Sequence, residues 1–150
     1  MSCLTYSLGH SVHPLEKLAG LCKRAEIDLL CDIRRFPRSR RHPQFARERL
    51  ENALPQHGLS YEWLGESLGG FRDGGYEAWM RTDEFERGLV TLEEMTRERI
   101  VGFMCSEGLP DRCHRRFVAH ALVSRGHRVG HLLPDGRIVW VQPSLELPSR

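Results

Sequence analysis

Four alternations of a short apolar run with a helical pattern, closed by two short strands, predict a single α/β domain. Its core is a mostly parallel central sheet flanked by helices, with a C-terminal hairpin. Three observations carry that prediction. IDLLCDI (27–33) and RIVGFMC (99–105) are compact apolar, β-rich runs that read as buried strands. Between the strand-like runs, apolar residues recur at helical spacing. RVGHLL (128–133) and RIVWV (137–141) flank the turn Pro134-Asp135-Gly136. The length of 150 residues fits one domain, with a core from about 4 to 141.

In chain order, TYSLG (5–9) reads as a strand ending in glycine. A helix follows, with Ser11 as its expected cap and Leu15, Leu18, Leu21 and Cys22 on its apolar stripe. After the 27–33 strand, RRFPRSRRHPQF (34–45) holds two prolines, with five arginines among its first eight residues, and reads as a loop. ARERLENALPQHG reads as a helix ended by Pro55 and Gly58, and LSYEWLG (59–65) as a short strand. Residues 66–80 contain Gly69, Gly70, Gly74 and Gly75, which implies a mobile or tightly turned segment. Thr82 caps a helix to about Arg99, with Phe85, Leu89, Leu92 and Met95 inward. The 99–105 strand leads through a loop to HRRFVAHALVSRG, a helix with Phe117, Ala121 and Leu122 inward. The last residues, QPSLELPSR, carry no pattern and are expected to be loosely held.

Composition narrows the class. Hydrophobic residues are 40% and charged residues 28%, values of an ordinary globular chain. Nothing approaches the roughly 18 apolar residues of a membrane span. The N-terminus lacks a basic region followed by a long apolar one, so the expected location is cytoplasmic. Five cysteines, an odd number, argue for free thiols rather than a disulfide framework. Cys22 and Cys31 fall in apolar patterns and read as packing residues. The net charge is only +2, yet 20 of the 22 basic residues are arginine. The planar guanidinium suits phosphate or carboxylate.

In a parallel sheet, ligands gather beyond the carboxyl ends of the strands. This reading places GHS (9–11), DIRRFPRS (32–39), LGESLGG (64–70) and CSEGLPDRCHRR (105–116) there, and these segments hold most of the unusual chemistry. Cys113 stands at the expected start of a helix, flanked by Arg112, His114, Arg115 and Arg116. Helix-end N–H groups and positive neighbours depress a thiol's pKa, which makes Cys113 the first nucleophile candidate and Cys105, at a strand end, the second. Asp32 and Glu107 follow two buried strands and are candidates for general acid/base work, assisted by His10 or His114. Arg34, Arg35, Arg38 and Ser39, with Arg115, Gly9, Ser11, Gly69 and Gly70, are the expected anion- or substrate-binding set. Arginines interleaved with Phe36 and Phe45 suit phosphate contact plus base stacking. Six residues separate Cys105 from Arg112, one more than a cysteine-phosphatase loop, and Glu107 and Asp111 would put negative charge where a phosphate should sit. Cys105, Cys113, His114 and His10 have ligand chemistry, but adjacent Cys113 and His114 are awkward for tetrahedral ligation and no C-x-x-C pair exists. No metal and no cofactor is expected.

Together, YSLGHS, CDIRRFPRSRRHPQF, LGESLGG and MCSEGLPDRCHRR resemble the domain-of-unknown-function 488 family, from about Thr5 to Leu132. The resemblance implies a single α/β domain of bacterial or archaeal type. It maps motif positions onto Gly9, His10, Ser11, Asp32, Arg34, Pro37, Ser39, Phe45, Leu68, Gly69, Gly70, Cys105, Glu107, Cys113, His114 and Arg115. Ser106 departs from the alanine common there. The expected function is an enzyme acting on a phosphate-bearing substrate, nucleotide or nucleic acid, by acid/base or thiol chemistry, as a hydrolase or glycosidase-like enzyme. A non-catalytic nucleic-acid-binding domain and a thiol redox or sulfur-transfer protein are the alternatives.

Overall fold

A computed structural model describes residues 3–38 and 40–143; the side chain of Arg112 is also outside the described set. Ser39 and the tail from 144, both named above, therefore lie outside the described residues.

The apolar runs form β1 (Leu4–Gly9), β2 (Leu29–Asp32), β3 (Ser60–Trp63), β4 (Val101–Cys105), β5 (Arg128–Leu132) and β6 (Ile138–Trp140). They make one sheet in the order β3-β2-β4-β1-β5-β6. All pairings are parallel except β5 with β6, the predicted closing hairpin. The helices are α1 (Leu15–Arg24), α2 (Arg47–Ala53), α3 (Gly65–Leu68), α4 (Tyr76–Trp79), α5 (Asp83–Glu98) and α6 (Arg115–Ser124). Fold class, single domain and hairpin are as the alternation predicts.

Successive strand residues face opposite sides. Leu30 and Met104 join a core with Leu18, Leu21 and Cys22 of α1 and Leu50 of α2. Leu29, Cys31, Val101 and Phe103 join a second core with Phe85, Leu89 and Leu92 of α5 and Val118, Ala119 and Leu122 of α6. The central strands are buried on both faces, which is why they read as continuous apolar runs. Each fully buried Leu or Phe contributes about 1.5–3 kcal/mol.

Local punctuation mostly acts as read. Thr82 Oγ1 accepts the Phe85 N–H and caps α5. The second helix tightens into a 3₁₀ turn over Leu54–His57, and Gly58 ends it at φ 78°. Ser11 does not cap α1. Pro14 is the N-cap of that helix, in extended conformation and with no side-chain cap hydrogen bond. Ser11 sits at φ 51° and its N–H donates to Ser106 O at 2.9 Å, so it braces the loop after β4 instead. The 66–80 segment is tightly turned. The segment contains α3 and α4, and Arg72 ties it by donating to Gly65 O, Glu66 O and Gly69 O while lying 3.8 Å over the Trp79 ring.

Strand order and register place the site. Gly9 pairs with Cys105, and Asp32 with both Met104 and Trp63. Beyond the strands, His10 N–H donates to Cys105 O and Ile33 N–H to Met104 O. β4 is inserted between β1 and β2, so the carboxyl ends of these three strands form one rim.

Candidate functional site

A cavity of about 380 Å³ opens on this rim, lined among others by Arg34, Arg35, Arg38, Phe36, Gly70 and Phe71. Tyr76, Cys105, Ser106, Glu107, Cys113 and His114 complete it. Three of the four loops expected there therefore meet in one hollow. The fourth, Gly9-His10-Ser11, supports it from behind.

That support begins with glycine. A Cβ on Gly9 would stand 1.6 Å from Glu107 O, so only glycine lets β1 run beneath the Glu107–Gly108 backbone. Gly65 plays the same part under Arg34, where a Cβ would come within 1.9 Å of Arg34 O. Gly69 packs on Arg35, and Gly70 on the His114 ring.

The Asp32–Arg34 pair is a buried brace. The carboxylate takes Arg34 Nε at 2.9 Å, Nη2 at 2.7 Å and backbone N–H at 3.0 Å, together with the Tyr61 hydroxyl. Asp32 is fully buried and does not line the cavity. Arg34 also donates to Phe45 O at 2.7 Å and toward His10 Nε2 at 3.4 Å. His10 Nδ1 donates to Ser11 O, and its ring stacks on Phe45 at 4.2 Å. Burial holds His10 neutral, with a pKa lowered to about 4. It lies behind Arg34, away from the hollow.

The sulfur pair lies at the base. Cys105 Sγ and Cys113 Sγ stand 2.6 Å apart, short of ordinary contact and near the roughly 2.05 Å of a covalent bond. Arg115, entirely buried, reaches them from the first turn of α6. Its Nη1 meets Cys105 Sγ at 2.8 Å and also Glu107 O. Its Nη2 donates to Gly108 O at 3.0 Å and its Nε to Ser7 Oγ at 3.2 Å, and Ser7 in turn bonds His131. Each of its three guanidinium nitrogens is engaged below the loop, and it does not line the cavity. No carboxylate of the described residues pairs with it.

A guanidinium keeps its charge inside a protein. The sulfur that Arg115 meets is Cys105, while the surroundings that favour a thiolate are those of Cys113. The hydrogen bond from Cys105 holds the Cys113 pKa down at about 4, helped by His114 Nδ1 at 3.6 Å and the Arg115 N–H at 3.4 Å. Cys105 retains the proton, its pKa raised by burial and by the neighbouring thiolate. Cys22 is the contrast: burial alone pushes its thiol up to about 12. His114 Nε2 donates to Ile33 O at 3.2 Å, which aims Nδ1 at Cys113.

The mouth is charged and aromatic. Arg38, Arg40 and Arg41 are exposed. Phe36 and Phe71 are 60% and 83% exposed, with ring centroids 6.1 Å apart. Arg35 lies over Phe36 at 5.3 Å and donates to Phe71 O. Glu107 is exposed at the lip. Among the described residues, no group of three or more His, Cys, Asp or Glu side chains is placed to hold a metal ion. No helix among them is long and apolar enough to cross a membrane.

Sequence reasoning missed Tyr61, Ser7 and His131, which lie in strands with no local mark of their contacts. It also missed Phe71 and Tyr76. The glycines around Phe71 were a signal, since an aromatic in so turned a segment has little core to enter.

No curated protein and no solved structure matches this chain. A family model, Domain of unknown function DUF488, matches residues 14–122, and so takes in the brace, the aromatic mouth and the sulfur pair but begins after the Gly9-His10-Ser11 turn. On that match, most of the chain's length, the protein belongs to the DUF488 family.

Proposed function

We propose that this protein is a thiolate enzyme that hydrolyses a phosphate-bearing substrate, a nucleotide or a nucleic acid, with Cys113 as nucleophile. The observation that carries this reading is the buried Arg115 guanidinium, which meets Cys105 of the sulfur pair and has no carboxylate partner among the described residues. Burying a cation unpaired costs several kcal/mol, so the fold itself favours a standing thiolate at the base of the hollow. A thiolate rather than a thiol is the nucleophile.

The other groups take roles by position. Arg35 and Arg38 meet the phosphate at the mouth, where the planar fork fits its oxygens. Phe36 and Phe71 offer faces to a base. Cys113 Sγ attacks the phosphorus, so that an S–P bond forms as the P–O bond to the leaving group breaks. Glu107, the carboxylate at the lip, protonates the leaving group and then activates the water that frees the product. His114 orients and supports the thiolate. Asp32, His10, Gly9 and Ser11 hold Arg34 and the loop in place, and Arg115 supplies the buried charge.

Two measurements test this. Alkylation of Cys113 by iodoacetamide should be nearly independent of pH between about 5 and 8, while the rate for free cysteine in solution rises about tenfold per unit in that range. A panel of mononucleotides and short oligonucleotides should show turnover and a covalent adduct by intact mass. Cys113→Ser should abolish both, and Glu107→Gln should lower turnover at least about a hundredfold with the fold intact. Affinity for oligonucleotides that falls steeply with salt and survives both substitutions, with no turnover, would instead identify a binding domain.

A further inference from the structure

The hollow holds a second sulfur that the nucleophilic role does not use. We infer that Cys113 and Cys105 are a reversible redox pair, closing to a disulfide that switches the site off. The inference shares the Cys113 thiolate with the proposed function but does not depend on the substrate.

Three observations converge on the pair. The sulfurs already stand 2.6 Å apart, so bond formation requires little movement of either backbone. Their roles differ. Both line the cavity and both are buried, but Cys113, 8% exposed, lies beside His114 and the α6 N-terminus, whereas Cys105, 2% exposed, ends β4 and has its pKa raised by burial. An attacking thiolate at the cavity wall backed by a protonated partner is the division of labour that disulfide formation needs. Cys3, Cys22 and Cys31 have no such partner: all five cysteines are free, and no sulfur other than this pair makes a sulfur contact among the described residues.

The oxidant is a hydroperoxide, for which hydrogen peroxide is the simplest case. The Cys113 thiolate attacks one oxygen. The S–O bond forms, the O–O bond breaks, and the departing hydroxide takes a proton from solvent and leaves as water. Cys105 then attacks the Cys113 sulfenic sulfur. The S–S bond forms, the S–O bond breaks, and the released hydroxyl leaves as a second water with the proton from Cys105. Two thiols lose two electrons and one peroxide gains them. Reduction runs through an external dithiol. Its thiolate attacks Cys113 Sγ from the cavity, Cys105 departs as a thiolate against Arg115, and the second external thiol releases Cys113.

Arg115 makes the couple reversible. In the reduced form the guanidinium lies against a sulfur pair that carries one negative charge. The disulfide is neutral, so oxidation leaves a fully buried cation bonded only to Ser7 Oγ and two carbonyl oxygens. That penalty favours the dithiol. The pair is therefore easily reduced, in the manner of a regulatory bond rather than a structural one.

The test uses the full chain. After brief exposure to hydrogen peroxide and blocking with a maleimide, intact mass should show the loss of two hydrogens. Peptide mapping should place the bond between Cys105 and Cys113, and dithiothreitol should restore both thiols. Cys105→Ser should give no bond and a sulfenic acid at Cys113 that a dimedone probe captures. Arg115→Lys, which keeps a cation but not the guanidinium fork, should retain the same bond. Sulfinic acid at Cys113 in the unaltered chain, or a bond to any other cysteine, would overturn the inference, and that result stands whether or not the variants fold. Fast alkylation of Cys113 without the disulfide would leave the nucleophile reading in place and remove only the switch. A Cys105–Cys113 bond in a chain that turns over no nucleotide would do the reverse.

Discussion

At the scale of single residues, the site depends on groups that never touch its contents. Gly9 shows this most sharply. Its backbone is ordinary extended strand, and what it supplies is the missing Cβ beneath Glu107 O. Gly9→Ala should push the Glu107–Gly108 loop off β1 and with it the carbonyls that hold Arg115. Overpacking of this kind costs about 1–3 kcal/mol. The expected result is a fall in Tm of about 3–10 °C, together with slower alkylation of Cys113. A variant with unchanged Tm and unchanged Cys113 reactivity would show that the loop moves freely. Asp32 makes a related point. A carboxylate at a strand end beside arginines reads equally well as acid/base or as ion pair. Tyr61 and Arg34 fill its lone pairs in the fold, and that fits the pair.

At the scale of elements, the informative piece is 66–80. Its four glycines announced sharp turning but not what the turns present. They carry Phe71 outward at φ 59°, a left-handed conformation that is strained for an aromatic residue, and Arg35 holds its carbonyl. Phe71→Gly relieves about 1–2 kcal/mol of that strain and adds about 0.5–1 kcal/mol of chain entropy to lose on folding. Tm should stay within about 3 °C of its starting value. The stacking face is lost, so oligonucleotide affinity should drop about tenfold, because one base stacked on an aromatic contributes about 1–3 kcal/mol. Equal affinity in a salt titration of both proteins would remove Phe71 from the binding surface. The elements α1 and α6 were legible for a different reason. Their apolar stripes are local and periodic, whereas the 65–68 and 76–79 helices are single turns, too short to show a period.

At the scale of the whole molecule, acid is the expected weakness. Burial keeps His10 and His131 neutral, each with a pKa lowered to about 4 against 6.5. Between those values the unfolded chain binds the protons that the folded chain refuses. Stability is therefore complete above about pH 6.5 and falls on acidification to about pH 4, by up to about 1.4 kcal/mol per unit for each ring. Glu93 adds to the loss at lower pH, since Arg125 and then His127 hold its carboxyl below the usual range and its contribution disappears as it protonates. Urea unfolding at pH 7, 6, 5 and 4 should show the midpoint falling at each step. A midpoint that stays level from pH 6.5 to 4.5 would mean that the two rings titrate normally.

What the sequence determined by itself was whatever short-range pattern encodes: the α/β class, the order of strands and helices, the closing hairpin, the free state of its thiols and the rim on which chemistry gathers. These follow from periodicity, turn residues and composition, which act over a few residues at a time. Only the tertiary structure decided how that rim is shared out. It set Asp32 and His10 behind Arg34, drew Arg115 beneath the loop instead of into the cavity, and brought Cys105 against Cys113. The reason is that β4 enters between β1 and β2 after more than sixty residues of other chain, so these contacts depend on strand order and register rather than on neighbours in sequence. Which sulfur bears the charge follows in turn from burial and from the donors that packing delivers, and neither exists before the chain has folded.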